Sequence, residues 1–155
     1  MLNAAYVVGR VFVPIVFVVS GVQKALNVAA TAKMLADANI PVPEAVVPYL
    51  QGIPKYEALT YLTAAVEIVC GLMIMGGIAA RWGALVLFVF TAAATFYFHN
   101  FWQMTGEAAA QNQIHALKNL SIMGGMLYVV IHGPGPLSLG HDNWQTDSSQ
   151  GKKKK

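Results

Sequence analysis

The sequence predicts an all-α fold, a bundle of four transmembrane helices with a long, partly helical first loop outside the membrane. Two observations lead to this prediction. Hydrophobic residues make up 56% of the 155 residues and charged residues only 11%, whereas a soluble domain carries about 25% charged residues. The apolar residues also gather in four windows, each with the roughly 20 residues that a helix needs to cross a bilayer.

The four predicted spans occupy most of the chain. They run from about 5 to 26, 58 to 80, 82 to 102 and 114 to 132. Windows of this length favour helices over the short alternating strands of a membrane barrel. We expect residues 1–138 to form one membrane domain, and the polar residues 139–155, which end in four lysines, to form a flexible tail.

The first loop, residues 27–57, is longer than the other two connections. Its beginning, residues 28–38, has Ala, Met and Leu at helical spacing, which predicts a short helix on the membrane surface. Four prolines between positions 41 and 54 preclude one long regular element after it. A tight turn near Arg81 joins spans two and three, and the polar stretch 103–113 joins spans three and four. We expect the first loop to pack over one mouth of the bundle.

The distribution of Lys and Arg indicates how the spans cross the membrane. Four spans place both termini on one side, and that side also holds Arg81 and the four lysines at 152–155. The opposite side holds Lys33 and Lys55, which three nearby acidic residues dilute. Because the more basic side usually faces the cytoplasm, we expect both termini to be cytoplasmic.

Several charged side chains lie inside the predicted spans, where each costs about 2.5–3.5 kcal/mol at a helix centre. Arg10 and Lys24 fall on one face of span one, and Glu67 lies near the middle of span two. Most of the polar residues of the spans fall in the outer half of the bundle. The expected ligand-binding residues are Lys24, Glu67, His99, Asn100, His115, Lys118 and Asn119.

One acidic residue thus stands among three basic residues within the spans. We predict a structural ion pair between Arg10 and Glu67, with Lys118 as an alternative partner of the carboxylate. The remaining positive charge, near two histidines, would receive an anion, a carboxylate or a quinone carbonyl in a polar interior open to the outer side. Two alternatives stay open, snorkelling of Arg10 and Lys24 to the interfaces and a place for His99 in an aromatic belt.

Other chemistries find little support in the sequence. The single cysteine, Cys70, forms neither a disulfide within the chain nor a CxxC redox pair. Four of the ten basic residues are the terminal lysines, so the predicted domain is not basic and we expect no nucleic-acid partner. We expect no metal site, because His99, His115 and Glu67 lie at different depths. No second pair of histidines would complete a haem site.

The same residues carry a resemblance to the DoxX family of small bacterial membrane proteins. The matching pieces are short, but their order and spacing over residues 5–138 are specific. They are Gly9-Arg10, Ser20-Gly21-Val22-Gln23-Lys24, Pro41, Glu67 followed by Gly71 and Gly76, Arg81, His99-Asn100-Phe101-Trp102, and Lys118-Asn119-Leu120 followed by Gly124-Gly125. The resemblance implies a four-helix protein of the bacterial inner membrane with both termini inside.

For function, the resemblance implies a redox connection, since the wider family is similar to a quinone-reducing thiosulfate oxidoreductase subunit. A dithiol mechanism does not transfer, because paired cysteines are absent. We therefore expect an accessory protein or subunit of a quinone-linked membrane system, with quinone as the candidate ligand and lipid or a larger complex as partner. The alternatives are a non-catalytic scaffold and a small transporter or channel, and the sequence leaves open whether the chain is an enzyme.

Overall fold

A computed structural model describes residues 2–42 and 44–140, and over these ranges the chain is helical without a strand. Four of its α-helices are long and apolar enough to cross a membrane, which confirms the predicted fold class. Two short 3-10 helices, Glu44–Leu50 and Phe101–Gln103, lie in the loops. The α-helices are α1 (Leu2–Leu26), α2 (Val28–Asp37), α3 (Lys55–Gly76), α4 (Ala80–Phe98) and α5 (Gly106–His132).

The connection between the last two spans is shorter than predicted. α5 begins at Gly106, so most of the polar stretch 103–113 is helix rather than loop. Gly106 is followed by strong helix formers, Glu-Ala-Ala-Ala-Gln. Hydropathy alone does not predict that this polar stretch is helical. At its other end α4 stops at Phe98, so His99 lies in the turn rather than in the helix.

The four spanning helices pack side by side, and each runs antiparallel to the spanning helix before it in the chain. α1 packs along α3, α3 packs against α4, and α4 packs against α5, whereas α1 and α5 share only a few contacts. The bundle is thus closed on three seams and weakly closed on the fourth. The buried core includes Phe17, Cys70, Ile74, Ala80, Ala84, Leu87, Met126 and Val129.

α2 lies at the end of the bundle that carries the loops 27–54 and 99–105, which we call the loop end. The opposite end, with the start of α1, the α3–α4 turn and residues 133–140, is the terminal end. α2 packs against α3 and buries Thr31, Ala32 and Leu35. The predicted short helix of the first loop is confirmed, and so is its position over one mouth of the bundle.

At the terminal end, the segment after α5 folds back onto the bundle instead of leaving it. The Arg10 guanidinium donates to the carbonyls of Pro134 (3.0 Å) and Leu137 (2.9 Å). The amides of Leu139 and Gly140 donate to the carbonyls at the end of α3. The hydrogen-bonded chain therefore reaches Gly140, two residues beyond the predicted end of the membrane domain. The remainder of the predicted tail, 141–155, lies outside the described residues.

The seam between α1 and α3 depends on glycine. A Cβ atom at Gly21 would lie 2.7 Å from Ile68 Cγ1 and 2.8 Å from the Ala64 carbonyl oxygen. The latter is backbone that a side-chain rotation cannot move aside. Small residues let helices approach closely in lipid, where packing replaces the hydrophobic effect as the driving force. The α1–α3 distance is accordingly set by the missing side chain at Gly21.

We predict that Gly21→Ala lowers the free energy of unfolding by about 1–3 kcal/mol, the usual cost of overpacking. Gly9→Ala is the matched control on the same helix, because a Cβ there meets nothing within 4 Å. Unfolding of both variants in mixed micelles by a denaturing detergent measures the difference. Equal stability of the two variants would show that the α1–α3 seam tolerates a wider spacing.

Candidate functional site

The central polar contact of the bundle joins α1 to α3. Glu67 is 2% exposed, and its carboxylate accepts a hydrogen bond from the Lys24 ammonium at 2.6 Å. The Ser20 hydroxyl bridges the two, since it accepts from Lys24 at 3.1 Å and donates to Glu67 at 3.4 Å. Ser20 and Lys24 lie one turn apart on α1 and so share a face. The pair places a neutral but strongly dipolar group deep within the spans.

The predicted ion pair between Arg10 and Glu67 does not form. α1 and α3 are antiparallel, and Arg10 lies opposite Gly77, with Nη1 3.0 Å from the position of a Cβ there. Fourteen residues of helix separate Arg10 from Lys24, a rise of about 21 Å. The carboxylate therefore meets the lysine at its own depth, while the arginine binds backbone carbonyls at the terminal end.

Above the ion pair, toward the loop end, the helices enclose a cavity of about 580 Å³, which we call the loop-end cavity. Its walls are mainly apolar and come from α1, α3, α4 and α5, with α2 above them. Phe90 lies under the Lys24 ammonium, 5.3 Å from nitrogen to ring centroid. The polar lining residues are Ser20, Lys24, Thr31, Thr63, Glu67, Thr91, Tyr97, His99, Lys118 and Asn119.

Five of the seven predicted ligand-binding residues line this cavity: Lys24, Glu67, His99, Lys118 and Asn119. The other two lie beside it. Asn100 donates to the Gln103 side chain at 2.9 Å in the turn after α4. His115 is exposed and stacks on His99, with ring centroids 5.0 Å apart. The prediction of one polar cluster from separated segments thus agrees with the geometry for the five lining residues.

Side chains from α4 and α5 hold one another at the rim of the loop-end cavity. His99 Nδ1 lies 3.0 Å from the Asn112 side-chain oxygen, and Asn119 donates to the Thr95 hydroxyl at 2.9 Å. Lys118 Nζ lies 3.4 Å from His115 Nδ1. Within residues 2–42 and 44–140, no carboxylate lies within ion-pair distance of Lys118. The cavity therefore contains one neutral pair and one uncompensated ammonium.

Thr31, Met34 and Leu35 of α2 line the loop end of the cavity. Val16 on α1 and Lys118 on α5 also line the cavity and are exposed, as are Met34 and Tyr97. α1 and α5 share only a few contacts, so the α1–α5 seam is the most weakly packed side of the bundle. The predicted opening to the outer side stays a prediction.

Five polar lining residues were not predicted: Ser20, Thr31, Thr63, Thr91 and Tyr97. Ser20 was detectable, because it lies one turn before Lys24 on the same face. The other four, and Phe90 beneath Lys24, were not, since nothing in their local pattern shows which helix they face. In the described part of the chain, no three His, Cys, Asp or Glu side chains lie close enough to hold a metal ion. The site can offer a ligand hydrogen bonds, charged groups and an apolar cavity.

Comparison with known proteins adds a family to this geometry. The sequence profile of the DoxX family matches residues 5–100, more than half of the chain. The chain belongs to the DoxX family. The profile covers α1 to α4 of this DoxX protein, including Lys24, Glu67 and His99, and ends before Lys118 and Asn119 on α5.

Two relatives of this DoxX protein come from Escherichia coli K12. Inner membrane protein YphA is 27% identical over 132 residues, which cover 85% of this chain and 85% of YphA. Inner membrane protein YqjF is 31% identical over 137 residues, which cover 88% of this chain and 90% of YqjF. Both matches are longer than the profile match and so extend past α4. No solved structure matches the chain.

We predict that Glu67→Gln destabilises the bundle by roughly 3–5 kcal/mol, because it leaves the Lys24 ammonium without a counter-charge inside the spans. The double variant Lys24→Met, Glu67→Gln removes both charges and should recover most of that loss. The unfolding free energies of wild type, Lys24→Met, Glu67→Gln and the double variant, measured in micelles, together give a double-mutant cycle. Additive losses would show that the two side chains are energetically independent despite their 2.6 Å contact.

Proposed function

We propose that this DoxX-family protein binds a membrane-soluble, carbonyl-bearing amphiphile in the loop-end cavity, with a quinone as the leading candidate. We further propose that it serves as an accessory protein or subunit of a redox or respiratory membrane system. The observation that carries the proposal is an apolar cavity beside the weakly packed α1–α5 seam, whose rim bears the ammonium of Lys118. Among the described residues, no carboxylate lies within ion-pair distance of that ammonium.

The size and lining of the cavity suit a ring with an apolar tail. A volume of about 580 Å³ lies within the roughly 300–1,000 Å³ of small-molecule sites, which are mostly apolar with a few converging polar groups. A ligand would enter through the weakly packed α1–α5 seam from the hydrocarbon, where an isoprenoid tail would remain. A ligand that enters from lipid need not displace α2.

The polar groups suit a carbonyl oxygen. Lys118 would donate a charge-assisted hydrogen bond to it, and the Asn119 amide lies beside the lysine on α5. His99, whose Nδ1 lies 3.0 Å from the Asn112 side-chain oxygen, would relay a proton between the cavity and the aqueous side. The Lys24–Glu67 pair would form the polar floor. The proposal uses no thiol chemistry, because Cys70 is buried and single.

Lys118→Ala should weaken binding of a soluble quinone analogue about tenfold or more, the equivalent of about 1.4 kcal/mol, because it removes the charge-assisted donor. Lys33→Ala is the matched control, since that lysine pairs with Asp37 on the exposed face of α2. Binding to the purified protein in detergent, together with extraction of any quinone that co-purifies, gives the comparison.

The outcomes of this experiment separate the proposed roles. Wild-type protein that neither retains a quinone nor binds the added analogue would contradict the quinone proposal. A scaffold role predicts that a stoichiometric partner co-purifies equally with wild type and Lys118→Ala, because the partner would contact the lipid-facing surface. A transport role predicts flux in liposomes that Lys118→Ala reduces.

We also propose that the protein lies in the bacterial inner membrane with its terminal end in the cytoplasm. The relatives YphA and YqjF, both inner membrane proteins of Escherichia coli, support this membrane, and Arg81 at the terminal end supports the orientation. The only native cysteine is buried, so a Cys70→Ser background permits single-cysteine mapping.

In that background we expect an impermeant maleimide to label Tyr49→Cys in intact spheroplasts and Ile78→Cys only after lysis. Tyr49 lies in the long loop and is 81% exposed, whereas Ile78 lies in the α3–α4 turn and is 51% exposed. The reverse labelling pattern would place both termini outside. Labelling of both after lysis controls for accessibility.

A further inference from the structure

A second cavity, of about 670 Å³, lies at the terminal end between α1, α5 and the segment that follows α5. We call it the terminal cavity. Val13 packs against Gly125, with Val13 Cγ1 3.3 Å from the position of a Cβ there, and this contact separates it from the loop-end cavity. Both cavities therefore lie along the α1–α5 seam, one in each leaflet. None of the function proposed above uses the terminal cavity.

Arg10 is the charged residue of the terminal cavity and is 8% exposed. Its Nη1 donates to the carbonyls of Pro134 and Pro136, and its Nη2 donates to Leu137. The Nε–H is buried without a hydrogen-bond partner. Nε and Nη2 share one edge of the planar guanidinium, the edge that binds carboxylate and phosphate oxygens in a bidentate manner. Three of the five guanidinium N–H groups donate to carbonyls, which leaves the Nε–H and one N–H of Nη2 unused.

Arg10 has no acidic counterpart among the described residues of the terminal end, which are 2–14, 74–84 and 122–140, since none of them is Asp or Glu. The carbonyls that Arg10 binds are dipoles and leave its full positive charge in place. A buried charge in a membrane span usually has a partner. The described residues do not supply one to Arg10.

The surroundings of Arg10 indicate which anion. Ala5, Gly9 and Val129 give the terminal cavity an apolar wall, while Tyr6 and Tyr128 at its edge are about half exposed. Tyrosine is enriched at the level of lipid headgroups. An inorganic anion would match the guanidinium but not the apolar wall. A phospholipid matches both, because its phosphate and its acyl chains are joined in one molecule.

We propose that the terminal cavity binds an anionic phospholipid of the adjacent leaflet, with the headgroup phosphate on the guanidinium of Arg10 and an acyl chain along the α1–α5 seam. The lipid supplies the counter-charge that the described chain lacks. It also fills the seam that the two helices leave open. Anionic headgroups bind basic pockets between transmembrane helices elsewhere by the same physics.

The test compares binding of phosphatidylglycerol and phosphatidylcholine to the full chain by native mass spectrometry from mixed micelles. Gly9→Leu places a side chain in the terminal cavity where a Cβ meets nothing within 4 Å. Gly124→Leu is the matched control, since its Cβ is equally free but does not line the cavity. Neither variant touches the Arg10 hydrogen bonds, so both should fold.

We expect wild type and Gly124→Leu to bind phosphatidylglycerol about tenfold more tightly than phosphatidylcholine, and Gly9→Leu to lose that preference. Arg10→Lys, which keeps the charge but not the bidentate edge, should fall between them. Equal affinity of wild type for the two lipids, or an unchanged preference in Gly9→Leu, would overturn the proposal. Binding of soluble glycerol 3-phosphate as tightly as phosphatidylglycerol would also overturn the proposal, because the site would then take a free anion rather than a lipid.

Discussion

A carboxylate in the middle of a membrane span needs a cation at its own depth, and this requirement organises the bundle. Glu67 meets Lys24 at 2.6 Å, and that contact fixes how far α1 and α3 slide along each other. Gly21 then permits the two helices to approach closely enough for the contact. α4 and α5 form the other half of the bundle, and α1 shares only a few contacts with α5.

The two well-packed pairs leave one weak seam. α1 and α5 meet closely where Val13 contacts Gly125, and cavities lie on both sides of that contact. A seam of this kind is costly in water, but in a bilayer hydrocarbon chains can occupy it. The weak packing of α1 against α5 therefore leaves room for both the loop-end cavity and the terminal cavity. The two cavities differ in their charged residues. The loop-end cavity holds the Lys24–Glu67 pair, and the terminal cavity holds Arg10, which has no acidic residue beside it among the described residues.

Much of this architecture could be predicted from sequence, because length and hydropathy define spans and helical spacing defined α2. The faces of Lys24, Glu67, Lys118 and Asn119 were also predictable, since periodicity alone places residues on one side of a helix. Periodicity does not give relative depth, so the predicted partners of Glu67 were Arg10 or Lys118, and only the antiparallel register of α1 and α3 shows that Lys24 is the partner. The contacts of residues 134–140 were unpredictable for another reason: Arg10 binds backbone carbonyls, which every sequence offers equally.

The binding of Arg10 to the segment after α5 has a consequence for biosynthesis. The guanidinium and the Pro134 carbonyl are 124 residues apart in the chain. At roughly 5–20 residues per second, a ribosome needs on the order of 6–25 s to make that interval. During this time α1 enters the membrane with its arginine still lacking these carbonyls, so the insertion machinery or lipid headgroups must accommodate the charge. A segment synthesised after all four spanning helices thus completes the hydrogen bonds of α1.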